Sequence, residues 1–364
     1  LIEVEVSRPP IRVLVVDDSA LMRQLLTSLL ATAPDITVVG AAASAEKARR
    51  LIKELDPDVL TLDVEMPGMD GLAFLERLMT LRPMPVVMVS TLTGPGADAA
   101  IRAMELGAVD CVRKPTSDLE QSMAAQAEEL VAKVRAAASA RVRPLGERQA
   151  QRPPPPPSPV GGLRLSVARP LAAGFPKIIA IGASAGGVEA LTDVVRELPG
   201  DGPPVLIAQH MPPRFTQTFA QRLDRMAAPT VLEAADGLPV LAGHVYIAPG
   251  THHLVLARSA TGYLCRLDDG PAMSGHKPSV DRLMLSVAEV AGRHAIGVIL
   301  TGMGRDGAQG LGAMRAAGAA TVGQDQATSM VYGMPRAAFE AGAVDRQLPL
   351  HKIAVELARL AGVR

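Results

Sequence analysis

Two doubly wound α/β domains in tandem are the architecture this 364-residue sequence predicts. Short apolar runs alternate with helical patterns through residues 11–138, the spacing of a five-stranded doubly wound parallel sheet. The alternation resumes over residues 176–362, where a block at 229–267 with short alternating segments reads as antiparallel hairpins inserted into the α/β pattern. Residues 139–175 between them cannot bury a core. Pro153 to Pro157 run unbroken into Ser158-Pro159-Val160-Gly161-Gly162, among Arg141, Arg143, Arg148, Arg152, Arg164 and Arg169 and the single acid Glu147, which predicts a semi-rigid polyproline spacer.

In the first half, strands are expected at Val13–Val16, Ile36–Val39, Val59–Leu62, Pro85–Val89 and Val109–Val112. Helices fit Ala20–Ala31, Ala45–Leu55, Leu72–Leu81, Ala97–Leu106 and Leu119–Ala138. In the second half, strands fit Ile178–Ile181, Val205–Ala208 and Ile296–Leu300, and Val245–Ile247 and Leu254–Leu256 are assigned to the hairpins.

Composition narrows the function. Basic and acidic residues balance at 37 each and only 8 residues are aromatic, none of them Trp, so a nucleic-acid partner is not expected. Cys111 and Cys265 lie in different halves and give no disulfide framework, as suits a reducing cytoplasm. No run of about twenty apolar residues exists, so membrane insertion is not expected. The segment Leu1-Ile-Glu-Val-Glu lacks the basic start and apolar stretch of a signal peptide, although a chain starting with Leu leaves its natural start open. Nothing demands an oligomer, and a monomer is expected.

Ligands in doubly wound sheets bind at the carboxyl ends of the strands. Those ends carry Asp17 and Asp18, Asp63, Ser90, and Lys114-Pro115. Three converging carboxylates repel one another unless a hard cation binds them, and Mg²⁺ suits Asp17, Asp18 and Asp63. Asp63 would then accept a phosphoryl group, with Lys114 neutralising its oxygens and Ser90 bonding one of them. These residues at four strand ends resemble the flavodoxin-like receiver domain of two-component response regulators. Cys111 is a departure, because receivers often carry there an aromatic residue that swings inward on phosphorylation. A small buried cysteine cannot make that swing.

The most informative stretch of the second half is Lys177-Ile-Ile-Ala-Ile-Gly-Ala-Ser184-Ala-Gly-Gly187, an apolar strand running into a G-x-S-x-G turn. Glycines at 182, 186 and 187 suggest a tight, partly strained turn that exposes the serine hydroxyl, with the helix start offering N–H groups to an oxyanion. An ordinary glycine-rich strand-to-helix turn fits the pentapeptide equally well. A nucleophilic serine needs a base and the base an orienting acid. His210 ends the strand Val205-Leu-Ile-Ala-Gln-His210, and Asp306 follows Ile296-Gly-Val-Ile-Leu-Thr-Gly-Met-Gly-Arg, so both are expected at the edge that carries Ser184. His252-His253 lacks the spacing of a helical zinc site. A rival reading takes Gly302-x-Gly304-x-x-Gly307 with Asp325 as a dinucleotide fingerprint, but Asp306 inside that turn would repel a pyrophosphate.

Gly182-Ala-Ser184-Ala-Gly-Gly, Gln209-His210-Met-Pro-Pro, His276-Lys-Pro-Ser-Val-Asp281 and Gly302-Met-Gly-Arg-Asp306-Gly, in this order behind a receiver, resemble chemotaxis protein-glutamate methylesterases/glutaminases. The resemblance implies a receiver (11–138), a linker (139–175) and a catalytic domain (176–362) with the triad Ser184, His210 and Asp306. It also implies an oxyanion hole near the Met303 loop, to which the Ala185 N–H would contribute. The substrates would be methyl esters of chemoreceptor glutamates, and certain receptor glutamines, with a chemotaxis histidine kinase as phosphodonor for Asp63. Mg²⁺ would serve the receiver, and the esterase reaction would need no cofactor. Phosphorylation would shift the receiver away from the catalytic cleft. Ala185 stands where the family usually has Thr, and Arg305 where Asn is common; the first departure removes a hydroxyl beside the nucleophile but keeps a backbone N–H, so an altered rate rather than lost activity is expected from it. A catalytically silent signalling adaptor is the alternative from another functional class.

Overall fold

The computed structural model describes residues 9–66, 70–90, 94–115, 123–146, 177–260 and 262–362. The chain divides into two compact units, 1–146 and 147–364. Most of the expected linker, its proline run included, lies outside the described residues, as does the start of the helix expected from Leu119.

The first unit holds one sheet of β1 (Ile11–Val16), β2 (Ile36–Ala42), β3 (Val59–Asp63), β4 (Val86–Ser90) and β5 (Asp110–Arg113) in the order β2-β1-β3-β4-β5. All of its pairs are parallel. Val13 to Val16 and Val86 to Val89 are almost completely buried, because helices covering both faces of a parallel sheet require continuously apolar strands. The helices start where their caps dictate. Ser19, Ser44 and Asp70 each accept a backbone N–H three residues on, opening helices at Ala20, Ala45 and Gly71.

The second unit holds a seven-stranded sheet in the order β14-β13-β12-β6-β7-β9-β8. Its strands are β6 (Ile178–Ala183), β7 (Val205–Gln209), β8 (Thr230–Glu233), β9 (His244–Ile247), β12 (Ala295–Ile299), β13 (Ala320–Gln324) and β14 (Arg346–Leu348). A separate antiparallel hairpin pairs β10 (His253–Ser259) with β11 (Gly262–Asp268). The hairpin at 254–256 was legible in sequence. Val245–Ile247 is a correction: it does not belong to a hairpin but runs parallel between β7 and β8. Both faces of β9 are covered, so Val245, Tyr246 and Ile247 are all buried, and a three-residue apolar run does not reveal its direction.

The chain leaves β6 toward β7 on one side and returns to β12 on the other. This reversal of strand order makes a switch point at the carboxyl ends of β12, β6 and β7, the place where open α/β sheets hold their ligands.

Candidate active site and acidic pocket

Ser184 follows β6 directly, and its N–H donates to the Thr301 carbonyl at 3.0 Å, tying the turn to the end of β12. The three glycines act differently from one another. Only Gly186, at φ 74°, carries left-handed backbone, and Ser184 is not among the residues of positive φ, so the sharp bend of the turn falls on a glycine two residues after the serine. Gly182 and Gly187 are needed for close approach. A β-carbon on the first would overlap Val280 Cγ1, and on the second Gln209 Oε1.

His210 follows β7, and its N–H donates to the Ala183 carbonyl at 3.2 Å. Gln209 Nε2 donates to the carbonyls of both Ser184 and His210, each at 3.0 Å, and so clamps the two turns together. Gln209 Oε1 is buried with no hydrogen-bond partner among the described residues. Asp306 lies beyond β12 in the turn that begins the helix Ala308–Ala316.

These three side chains form one line. His210 Nε2 lies 2.8 Å from Asp306 Oδ2, and His210 Nδ1 lies 3.2 Å from Ser184 Oγ. Because the carboxylate only accepts, the ring proton belongs on Nε2 and the lone pair of Nδ1 faces the serine hydroxyl. The ring is therefore used the other way round from the serine-protease template, in which Nε2 faces the serine.

Asp306 is buried and sits on the N-terminus of the helix Val280–Ala291. It accepts the N–H groups of Val280 (2.8 Å) and Asp281 (2.9 Å) and the Ser279 hydroxyl (2.9 Å). Burial alone would raise its pKa. The His210 hydrogen bond and charge, with the two N–H groups, outweigh that and hold it down to about 2. Asp281, also buried, is pushed above the usual carboxylate range by burial and by Asp306, against a 2.7 Å bond from the Gly310 N–H.

The Met303 loop packs against the serine, since a β-carbon on Gly302 would come within 2.8 Å of Ser184 Cβ. Among the described residues, no hydrogen bond engages the N–H of Ala185 or of Met303. The Thr301 hydroxyl donates to the Ala185 carbonyl at 2.9 Å and accepts the Val331 N–H at 2.9 Å, fixing the backbone on both sides. Arg305 is exposed.

The other highlighted residues have structural partners. His253 is buried, accepts the Ser279 N–H at 3.0 Å and donates to the Pro271 carbonyl at 3.0 Å. Asp325 bonds the Thr328 N–H and hydroxyl in a local turn. Sequence reasoning did not give roles to Gln209, Ser279 or Asp281. Gln209 and the Ser279–Asp281 run stood inside the quoted motifs, and their spacing to the serine and aspartate was the available signal.

In the first unit, ligand atoms of Asp17, Asp18 and Asp63 lie within 4.8 Å of one another. Asp17 and Asp63 are fully buried, and the Asp17 Oδ2 atom has no hydrogen-bond partner among the described residues. Burial raises both carboxyls, Asp63 further raising Asp17. A buried orphan oxygen in an all-carboxylate set fits a hard divalent cation such as Mg²⁺. Lys114 Nζ donates to Asp63 Oδ2 at 2.7 Å and stands 3.8 Å from Asp17 Oδ2. The Ser90 hydroxyl, at the end of β4, donates to the Gly96 carbonyl at 3.0 Å. Cys111 is buried on β5, and burial pushes its thiol up to about 12, leaving it an inert small hydrophobe.

Fold and site define a class: a doubly wound α/β domain with a hydrogen-bonded Ser-His-Asp line, preceded by a second doubly wound domain with an acidic pocket at its strand ends. Comparison with known proteins reaches the particular family. Residues 179–357 match the CheB methylesterase family and residues 13–126 the response regulator receiver domain. A protein-glutamate methylesterase/protein-glutamine glutaminase of Dechloromonas aromatica is 53% identical over 345 residues, covering 94% of this chain and 96% of that protein. One from Rhizobium johnstonii is 51% identical over 359 residues, covering 98% of each. The catalytic domain of the Thermotoga maritima CheB methylesterase, 39% identical, superposes with a TM-score of 0.50 over 51% of this chain and 100% of that domain. The chain belongs to the chemotaxis protein-glutamate methylesterase/protein-glutamine glutaminase family, hydrolases that carry a response regulator receiver. Among the described residues no helix is long and apolar enough to cross a membrane.

Proposed function

We propose that Ser184, His210 and Asp306 are the catalytic triad of a methylesterase and glutaminase acting on chemoreceptor side chains. The observation that carries this reading is the continuous line from Ser184 Oγ through His210 to Asp306 at the switch point of the sheet. His210 Nδ1 takes the serine proton as Oγ attacks the ester carbonyl. Asp306 holds the Nε2 proton and stabilises the imidazolium that forms. The N–H groups of Ala185 and Met303 receive the oxyanion of the tetrahedral intermediate. As that intermediate collapses, His210 returns its proton to the leaving methoxide, and methanol departs from an acyl-serine. Water, deprotonated by the same nitrogen, then attacks the acyl carbon, and as this second intermediate collapses the imidazolium returns its proton to Ser184 Oγ and frees the glutamate, whose carboxyl ionises in water. With a glutamine side chain the leaving group is ammonia. This chemistry draws on no cofactor.

In the receiver, Asp63 is the phosphoacceptor, Lys114 neutralises the phosphoryl charge and the Ser90 hydroxyl turns from the Gly96 carbonyl to a phosphoryl oxygen. Mg²⁺ held by Asp17, Asp18 and Asp63 would offset the negative charge of the transferring group. A chemotaxis histidine kinase is the donor, and phosphorylation controls the esterase. We assign 11–138 to the receiver, 139–175 to the linker and 176–362 to the catalytic domain, in a cytoplasmic monomer.

Quenched turnover of a glutamate-methyl-ester peptide, read by mass spectrometry, tests the nucleophile. An acyl adduct on the Ser184 peptide in the wild type, absent in His210→Ala, is expected. Adducts elsewhere, or an undiminished adduct in His210→Ala, would refute the assignment.

A further inference from the structure

Asp306 and Ser184 hold His210 through its two ring nitrogens, at 2.8 and 3.2 Å. Bonds made at the ring nitrogens leave the faces of the imidazole to be held by packing, and a rotation that carries Nδ1 away from the serine hydroxyl lengthens a bond already at 3.2 Å. A second ring packs against one face. His276 stacks on His210 with centroids 3.8 Å apart and planes 16° from parallel.

The chain builds the position of that second ring deliberately. Met273 and His276 exchange backbone hydrogen bonds (3.1 and 3.0 Å) across a two-residue turn, and the two residues inside it, Ser274 (φ 54°) and Gly275 (φ 80°), are both left-handed. Ser274 is a non-glycine residue in that conformation, and its hydroxyl is anchored at 3.3 Å on Asp281 Oδ2. On the far side Lys277 bonds Asp269 at 2.6 Å, and Ser279 caps the helix that carries Asp306 on its N-terminus. The stacked ring and the triad acid are therefore tied to the same short segment, 276–281.

We propose that His276 is a positioning residue for the reaction: its flat face holds the His210 imidazole in the plane that aligns Nδ1 with Ser184 Oγ, and meets the positive charge His210 acquires as the serine loses its proton. The inference rests on the triad reading above. It requires an aromatic face at 276 and no hydrogen bond from that ring to substrate.

The test uses the full chain with His276→Ala, His276→Leu and His276→Phe, each verified as folded by circular dichroism, with Ser184→Ala as control. A fluorophosphonate probe reports the reactivity of Ser184 independently of the natural substrate, and a glutamate-methyl-ester peptide separates kcat from KM. His276→Ala and His276→Leu should be labelled about tenfold more slowly than wild type, within the range that misplacing a catalytic group can cost, and kcat should fall with KM unchanged. His276→Phe should restore most of both rates, because it keeps the face without the ring nitrogens. Leucine fills the space without a flat face, so a His276→Leu chain as reactive as His276→Phe would overturn the proposal. A raised KM with unchanged labelling would overturn it too, making His276 a substrate contact. A wild type labelled no faster than Ser184→Ala would instead bring down the triad reading itself.

Discussion

Four donors converge on Asp306: His210 Nε2, the Ser279 hydroxyl and the N–H groups of Val280 and Asp281. This explains a carboxylate that stays charged while buried, and it predicts a pH signature. A group held near 2 against an ordinary 3.8 contributes stability that is fully present above about pH 4 and lost as the pH falls through about 2. The two values differ by nearly two units, about 2 kcal/mol at 1.36 kcal/mol per unit. Urea unfolding should show Asp306→Asn less stable than wild type at pH 6, with the gap closing as the pH falls toward 2; a constant gap would show that the carboxylate charge contributes nothing. The same substitution should lower kcat by about 10²- to 10⁴-fold, because an amide cannot hold the imidazolium. At this scale the sequence was legible where a side chain stood at a strand end beside a glycine-rich turn, as Ser184 and Asp306 do. His276 and Gln209 were not, since stacking and carbonyl clamping depend on how separate turns meet.

The helix Val280–Ala291 locks the site by its first residue. Val280 packs against both Gly182 on β6 and Gly307 in the aspartate turn, so one side chain gauges the distance between the serine strand and the acid. Gly182→Ala should therefore destabilise the catalytic unit by about 1–3 kcal/mol as an overpacked site, measured by denaturant unfolding. Val280→Ala in the same chain should recover part of the loss, whereas simple additivity would mean that the two do not touch. The strands β6, β7 and β12 could be read from sequence because each is an apolar run that ends in a chemically marked turn. The strands β8, β13 and β14 were not, being short and, in β13, interrupted by Thr321, Gly323 and Gln324. Gln324 is buried on that strand to accept the Thr301 N–H at 2.7 Å, a polar residue placed for the site rather than for the sheet.

On the scale of the whole molecule, the chain carries an acidic pocket in one unit and the Ser184–His210–Asp306 line in the other. Mg²⁺ should raise the thermal midpoint of the receiver by binding the folded pocket, and Asp17→Asn, which removes the orphan oxygen, should abolish most of that rise in a calorimetric scan. An equal rise in the variant would place the cation elsewhere. The receiver was legible as a set because its residues sit at four strand ends of one sheet, whereas control of one unit by the other is a property no single motif carries. The most direct test measures methanol release from methylated chemoreceptor membranes with Mg²⁺, with and without a small phosphodonor, for wild type, Ser184→Ala and Asp63→Asn. Release by wild type that the phosphodonor accelerates, a basal rate without acceleration in Asp63→Asn, and no release by Ser184→Ala are expected. Release by Ser184→Ala at the wild-type rate would show that Ser184 is not the nucleophile.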